Sequence, residues 1–238
     1  LALACAGGVF AADPWADRVV SYQAGTGAAP GYSNPLVALG SPERITGEGF
    51  GFPGSVTPFN SAFGTDEIVS IGAGGWLTLA FDEPVVDDPA NPFGIDLLVF
   101  GNAFFFDSLF APVANLIADD GGIVEVSPDG IVWTTVPFVS ADGLFPTLAF
   151  VDETQPFGGP GGTQPTDFTR PVDPAFNWLG ADLSQIIAGY NGSGGGAGVD
   201  IGALGLSSIS YVRLSLPAGA TGNIEIDAVS DVSAVPAP

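Results

Sequence analysis

The sequence predicts an all-β protein, an antiparallel β-sandwich carrying long Gly/Pro-rich loops and one short surface helix. Short β-branched or alternating runs recur between clusters of Gly, Pro, Asn and Asp, which is the pattern of strands joined by turns. Hydrophobic residues make up 46% of the chain, with 18 Phe and 4 Trp, so there is apolar surface for a sizeable core. Sandwiches and barrels of about 200–250 residues are commonly undivided. The 238 residues therefore point to one domain, placed at 13–232.

In chain order, the strand-like runs are 18–22, 67–71, 76–81, 95–100, 123–127, 132–136, 210–216 and 223–232. Asp129-Gly130 supplies a tight hairpin turn between two of them, and Trp133 is expected to pack inward from the returning strand. The one helical window is 179–190, where Asp182 or Ser184 acts near the N-terminus and Gly189 is the stop. Segments 46–65 and 140–198 read as long loops decorating the sandwich; loops of this length are functional or mobile. No solenoid or propeller repeat is present.

Charge narrows the chemistry. Four Arg and no Lys stand against 26 Asp and Glu, a net charge of −22, with no His and no Met. The four arginines, Arg18, Arg44, Arg170 and Arg213, are single and scattered, so nucleic acid and anionic membrane surfaces are poor partners. Without His or Lys there is no Ser-His-Asp or Cys-His site, no Ser-Lys dyad, no Schiff base and no imidazole-ligated metal. The acid divides into 19 Asp and 7 Glu, and Asp favours turns and oxygen-rich cation sites. With 13% charged residues and a mean hydropathy of +0.40, part of the surface is apolar and suited to association.

The segment 1–12, LALACAGGVFAA, reads as the tail of an export signal, with Val9 and Ala11 at the −3 and −1 positions of a cleavage before Ala12. Two other readings stand beside it: a lipid anchor at Cys5 in Ala2-Leu-Ala-Cys5, and a retained strand lent to a neighbouring subunit. In the first case the mature chain has no cysteine, which is compatible with export. The tail 233–238 ends Ala234-Val-Pro-Ala-Pro238 and resembles the Val-Pro-Glu-Pro sorting signal (PEP-CTERM) of exported bacterial surface proteins, with Ala237 in place of Glu. No segment is long enough to span a membrane.

A larger resemblance follows from Ser127-Pro-Asp-Gly-Ile-Val-Trp133, Ser210-Tyr-Val-Arg-Leu214 and Ile224-Glu-Ile-Asp-Ala228. In that order these resemble the hairpin, core strand and acidic closing strand of the galactose-binding, discoidin-like jelly roll. Ala38-Leu-Gly-Ser-Pro-Glu43, Val69-Ser-Ile-Gly-Ala-Gly-Gly75, Asp96-Leu-Leu-Val-Phe-Gly-Asn-Ala-Phe104 and Gly198-Val-Asp-Ile-Gly202 resemble blocks of bacterial cell-surface proteins of the same shape. The chain departs from that pattern at Glu43-Arg44, where Asp-Gly is common, at Gly101, where Glu is common, and at Gly196-Ala197, which replaces an acidic step.

The resemblance implies calcium held where an early loop meets the closing strand, with Glu43 and Glu225 or Asp227 as ligands. A second cluster could join Asp96, Asn102 and Asp107. Glycan binding is the other expected chemistry. Trp178 and Tyr190 are the platforms, with Phe157 and Tyr32 as further loop aromatics, against the alternative that these rings pin loops to the core. Asn191-Gly-Ser193 is a glycosylation sequon. The expected function is therefore a non-enzymatic secreted or cell-surface protein, stabilised by calcium, whose partners are extracellular glycans or matrix. The alternative is a self-assembling subunit of a filament or surface layer, whose partners are copies of itself and whose Phe104-Phe-Phe106 and Phe110 are buried between subunits. Catalysis is not expected, although Asp119-Asp120 and Asp87-Asp88 supply adjacent acids of the kind glycosidases use.

Overall fold

The computed structural model describes residues 13–109 and 111–232; the readings made for 1–12, Cys5, Phe110 and 233–238 lie outside them. The described strands are β1 (Arg18–Gln23), β2 (Ile45–Thr46), β3 (Gly54–Ser55), β4 (Val69–Gly72), β5 (Trp76–Val86), β6 (Leu97–Gly101), β7 (Phe104–Phe106), β8 (Leu116–Ala118), β9 (Ile123–Ser127), β10 (Thr134–Thr135), β11 (Ala197–Val199), β12 (Ser208–Ser215) and β13 (Asn223–Asp231). One α-helix, α1, spans Leu183–Tyr190. A five-stranded sheet in the order β1-β5-β12-β9-β10 and a four-stranded sheet in the order β11-β6-β13-β4 are antiparallel throughout, and two short ribbons, β2-β3 and β7-β8, flank them. This is the all-β sandwich that the alternating runs predict.

Side-chain parity explains the layers. In β5, β9 and β12 the residues Leu77, Leu79, Val124, Val126, Val212 and Leu214 turn to one face and join Ile71, Leu97, Val99, Ile224 and Ile226 of the other sheet in the main core. Register shifts in β12 after Ile209 and in β13 after Ile226 change the parity along each strand. The four-stranded sheet is covered on its second face as well, where Leu98, Phe100 and Ala228 pack with Ile95, Phe168 and Val232. Burial on both faces is why β6 reads as a continuous apolar run rather than as an alternation.

The segment predicted as a decorating loop contributes Phe168 to that cover and is itself packed. Between β10 and α1 the chain has no strand, yet Phe145, Leu148, Ala149, Phe168 and Val172 are buried. Arg44 pins this layer. Its Nη2 donates to the Thr166 carbonyl at 2.8 Å, its Nη1 donates to Ala149 O and Thr166 Oγ1, and its guanidinium lies 4.0 Å from the Phe168 ring centroid.

Loop acids satisfy the backbone locally. Asp129 accepts the N–H groups of Ile131 and Val132 at 2.8 and 2.9 Å, Asp152 those of Thr163 and Gln164, and Glu153 those of Thr154, Gln155 and Gly162. Glu67 takes three more, from Gly47, Phe63 and Gly64. The Asp-rich composition is used here as turn geometry.

Helix α1 starts later than the apolar window suggests, because residues before it bond elsewhere: Gly180 N–H donates to Ala114 O and Ala114 N–H to Ala181 O. Asp182 caps it, accepting Gln185 N–H at 2.9 Å while Gln185 Oε1 accepts Asp182 N–H at 3.0 Å. The stop is Asn191, left-handed at φ 50°, rather than Gly189. Gly189 lies inside the helix, where any Cβ would run into the Phe176 ring.

Candidate cation sites and an aromatic trough

Two groups of three carboxylates lie at opposite ends of β6. At its start, Asp96 is fully buried; Oδ1 accepts Asp88 N–H at 3.1 Å and Asn91 Nδ2 at 2.9 Å, and Oδ2 accepts Ile201 N–H at 3.1 Å. Exposed Asp87 and half-buried Asp200 each bring an oxygen to it, and these oxygens lie within 4.8 Å of one another. Burial, with the charge of Asp96 beside it, pushes Asp231 up to about 6.

At the far end, Asp142 is fully buried and accepts Ala103 N–H at 2.9 Å and Glu225 N–H at 3.2 Å, with Asp120 and Glu225 completing a second such group. Burial pushes Asp142 up to about 8 and Glu225 up to about 7; the Asp120 charge adds to the Glu225 shift. Both groups have the donor chemistry and spacing to hold a metal ion.

The predicted ligands are placed differently. Glu43 meets Asp227 through its backbone, donating its N–H to both carboxylate oxygens at 3.0 and 3.3 Å, while Glu225 belongs with Asp120 and Asp142. Asp227 is buried, and burial holds its carboxyl well above the usual range. Asp96, Asn102 and Asp107 do not meet. Asp96 and Asn102 bracket the five residues of β6, which at roughly 3.3 Å per residue sets them about 20 Å apart. Asp107 instead accepts Asn115 Nδ2 at 2.7 Å and Leu109 N–H at 2.6 Å. The sequence reading missed Asp87, Asp120, Asp142 and Asp200 as ligand candidates. Asp200 stands inside Gly198-Val-Asp-Ile-Gly202, which resembles a block of bacterial cell-surface proteins, whereas nothing local marks Asp142.

Neither predicted sugar platform presents a free ring. Tyr190 is buried at the end of α1 and donates its hydroxyl to Pro146 O at 2.8 Å. Trp178 is half-buried and stacked on Phe105 with centroids 4.7 Å apart, so the loop-pinning alternative describes both. Tyr32 donates its hydroxyl to Phe63 O, and Phe157 is half-exposed, edge-on to Phe59. Asn191 is exposed; Ser193 of its sequon is buried and donates its hydroxyl to Arg170 O. Of the Phe cluster, Phe105 is core, while Phe104 and Phe106 form a tilted pair with centroids 6.1 Å apart.

A further set of aromatic rings stands on the outer face of the five-stranded sheet, with Arg18 5.9 Å over the Tyr211 ring. Trp76 of β5, Tyr211 and Arg213 of β12, Trp133, Thr78, Ser21 and Asp129 line a trough of about 440 Å³. Trp133 faces outward because the turn runs to residue 133 and pairing begins at Thr134↔Val126, so Trp133 falls opposite Ser127 on the side away from the core. The inward packing expected for it does not occur. Arg213 lies 4.2 Å over the Trp133 ring and donates Nε to Glu125 at 2.8 Å, while Trp76 Nε1 donates to Ser21 Oγ at 3.1 Å. A second cleft, of about 380 Å³ and walled by Ile95, Phe138, Leu144, Phe145 and Val172, is mostly apolar. No helix of the described residues is long and apolar enough to cross a membrane. No family model matches the chain, and no curated protein matches it.

Proposed function

We propose that the protein is a non-enzymatic, exported module of the discoidin-like kind that binds glycans at a bacterial surface and uses calcium to fix its loops. The trough on the outer sheet carries this reading. Sugar rings have apolar C–H faces that stack on Trp and Tyr, and a rim of hydroxyls that needs convergent donors and acceptors. Trp76 and Tyr211 supply the stacking faces; Arg213, Asp129, Ser21 and Thr78 supply the polar rim. Both elements are rigid, since Trp76 and Tyr211 stand on paired strands of one sheet and Arg213 is held between Trp133 and Glu125. The test is a glycan array followed by titration of the hits with Trp76→Ala and Tyr211→Ala. Each variant is expected to lose at least about tenfold in affinity while melting like the wild type. Absence of any glycan hit, or unchanged affinity in both variants, overturns the reading.

A self-assembling subunit is the second reading, favoured by the edge of the same sheet. Ile131, Val132 and Phe138 are exposed on and beside the β9–β10 hairpin, and β10 is a two-residue edge strand. Sedimentation velocity decides it: concentration-dependent oligomers that Phe138→Asp disperses support assembly, and a single monomer boundary rules it out.

A further inference from the structure

We propose that the outer-sheet trough takes an internal stretch of a neutral, linear polysaccharide and not a single terminal sugar; this rests on the glycan reading above and deepens it. The trough continues past Arg213. A further cleft of about 340 Å³, lined by Gly74, Gly75, Glu125, Ser215 and Leu216, lies beyond it, and Trp76 and Arg213 border both.

Strand register puts the two clefts in line. On β12, Tyr211, Arg213 and Ser215 alternate onto the outer face, since Val212 and Leu214 between them belong to the main core. The first cleft lies over Tyr211 and Arg213, the second over Arg213 and Ser215. The two shared side chains are held apart. Trp76 Nε1 donates to Ser21 Oγ of β1, while Arg213 donates Nε to Glu125 of β9 and lies over the Trp133 ring. In the sheet, β1 and β9 flank the β5-β12 pair on opposite sides, so Trp76 and Arg213 form facing walls with Thr78 in the floor.

Length and ends set the form of the ligand. From Tyr211 to Leu216 is about 16 Å at roughly 3.3 Å per residue, against about 5 Å for each unit of an extended sugar chain, so the groove accommodates about three units. Trp76 pairs with Ser215, four residues along β12 from Tyr211, which sets the backbones of the two stacking residues about 13 Å apart. A single sugar covers only part of that span. Glycines stand at both ends: Gly130 beside the Tyr211 ring, and Gly74 with Gly75 in the turn before β5. Gly130 and Gly74 are left-handed, at φ +72° and +73°, so turn geometry keeps side chains out of these positions and the chain can run out at either end.

Charge sets its class. The groove carries one cation, Arg213, against Glu125 and Asp129, and the neighbouring Arg18 is paired with Asp82 at 3.6 Å. On a chain of net charge −22 this lining repels a polyanion. Partners for hydroxyl groups remain: Arg213 commits only Nε to Glu125, and Asp129 gives Oδ1 to Ile131 and Val132 N–H while Oδ2 has no protein donor among the described residues.

The test is calorimetry with cello-, manno- and chito-oligosaccharides of one to six units, and with oligogalacturonates of matching length as the charged control. Wild type is expected to bind the trimer of at least one neutral series about tenfold or more tighter than its monomer, to gain little beyond about four units, and to hold that affinity from about 0.05 to 0.5 M sodium chloride. Ser215→Gln puts a longer neutral side chain into the second cleft from the outer face of β12. It is expected to melt like the wild type and to lose the gain from chain length, about tenfold on the trimer. Equal affinity for monomer and trimer, wild-type length dependence in Ser215→Gln, or array hits that all depend on one terminal sugar overturn the extended groove and leave the glycan reading standing. Tighter binding of oligogalacturonates than of every neutral series overturns the neutral ligand, and binding of no oligomer and no array glycan overturns both readings.

Discussion

Without bound cations, the protein should lose stability as pH rises from 4 to 8, the reverse of the usual acid denaturation. Asp142 sets the size of the effect. An unfolded Asp releases its proton near its ordinary value of 3.8, whereas burial holds the folded Asp142 proton up to about 8, with Glu225 and Asp120 as the acids nearest it. Between those values the folded state binds more protons, so each unit of pH removes up to about 1.4 kcal/mol. The stabilisation is complete below pH 4 and gone above about 8. Over the window the loss is of order 3–5 kcal/mol, a large share of the 5–15 kcal/mol typical of a domain. In urea titrations in EDTA this appears as a midpoint falling by about 1–2 M between pH 4 and 8. Glu225 and Asp231, pushed up to about 7 and about 6, act in the same direction. Asp142→Asn cannot ionise. It also turns an amide N–H toward one of the two backbone donors, Ala103 or Glu225, at a cost of about 1–3 kcal/mol at every pH. The variant should therefore be weaker than wild type at pH 4, and its shallower slope should bring the two curves together toward pH 8. A wild-type midpoint that is flat or rises over this range, or a variant with the full wild-type slope, refutes the reasoning.

Two further substitutions probe the frame around the sites. Asp182→Ala removes one half of the α1 capping box and should cost about 1 kcal/mol, lowering the melting temperature by about 2–4 °C; no change would mean the cap contributes nothing to the packed helix. Arg44→Ala withdraws the guanidinium from Ala149, Thr166 and Phe168, takes from the Thr166 carbonyl its Arg44 donor while Ala149 O keeps Thr166 N–H, and should cost about 2–4 kcal/mol. Limited proteolysis should then cut first within 150–165, and an unaltered cleavage pattern would show that the layer holds without its pin.

What could be read from the residues follows period and local turn chemistry. Strands with one exposed face, such as β9 and β12, show alternation directly, and of the two cap candidates Asp182 and Ser184 it is Asp182 that caps the helix. The segment 140–182 defeats such reading, because it is held by scattered contacts such as Arg44 over Phe168 and Tyr190 to Pro146, with no period at all. For that reason the sequence leaves both a platform role and loop pinning open for Trp178 and Tyr190. Trp133 lies one step of parity from the inward position expected for it, since the turn takes in residues up to 133 before pairing begins. The acidic groups were half legible: Asp96 and Glu225 are recognisable, but their partners Asp200 and Asp142 arrive through sequence separations of 104 and 83 residues set by strand order.

The loop carboxylates that accept backbone N–H groups have a consequence for a chain with 26 acids and four arginines. Asp129, Asp152 and Glu153 are tied within their own loops at 2.7–3.0 Å to Val132, Gln164 and Gln155 among others, distances that leave no gap for a mobile ion to enter. The repulsion among distant acids acts over about 10 Å and is thinned by dissolved ions; the ties are not. Rising ionic strength thus weakens the repulsion between loops more than it weakens the ties inside each loop.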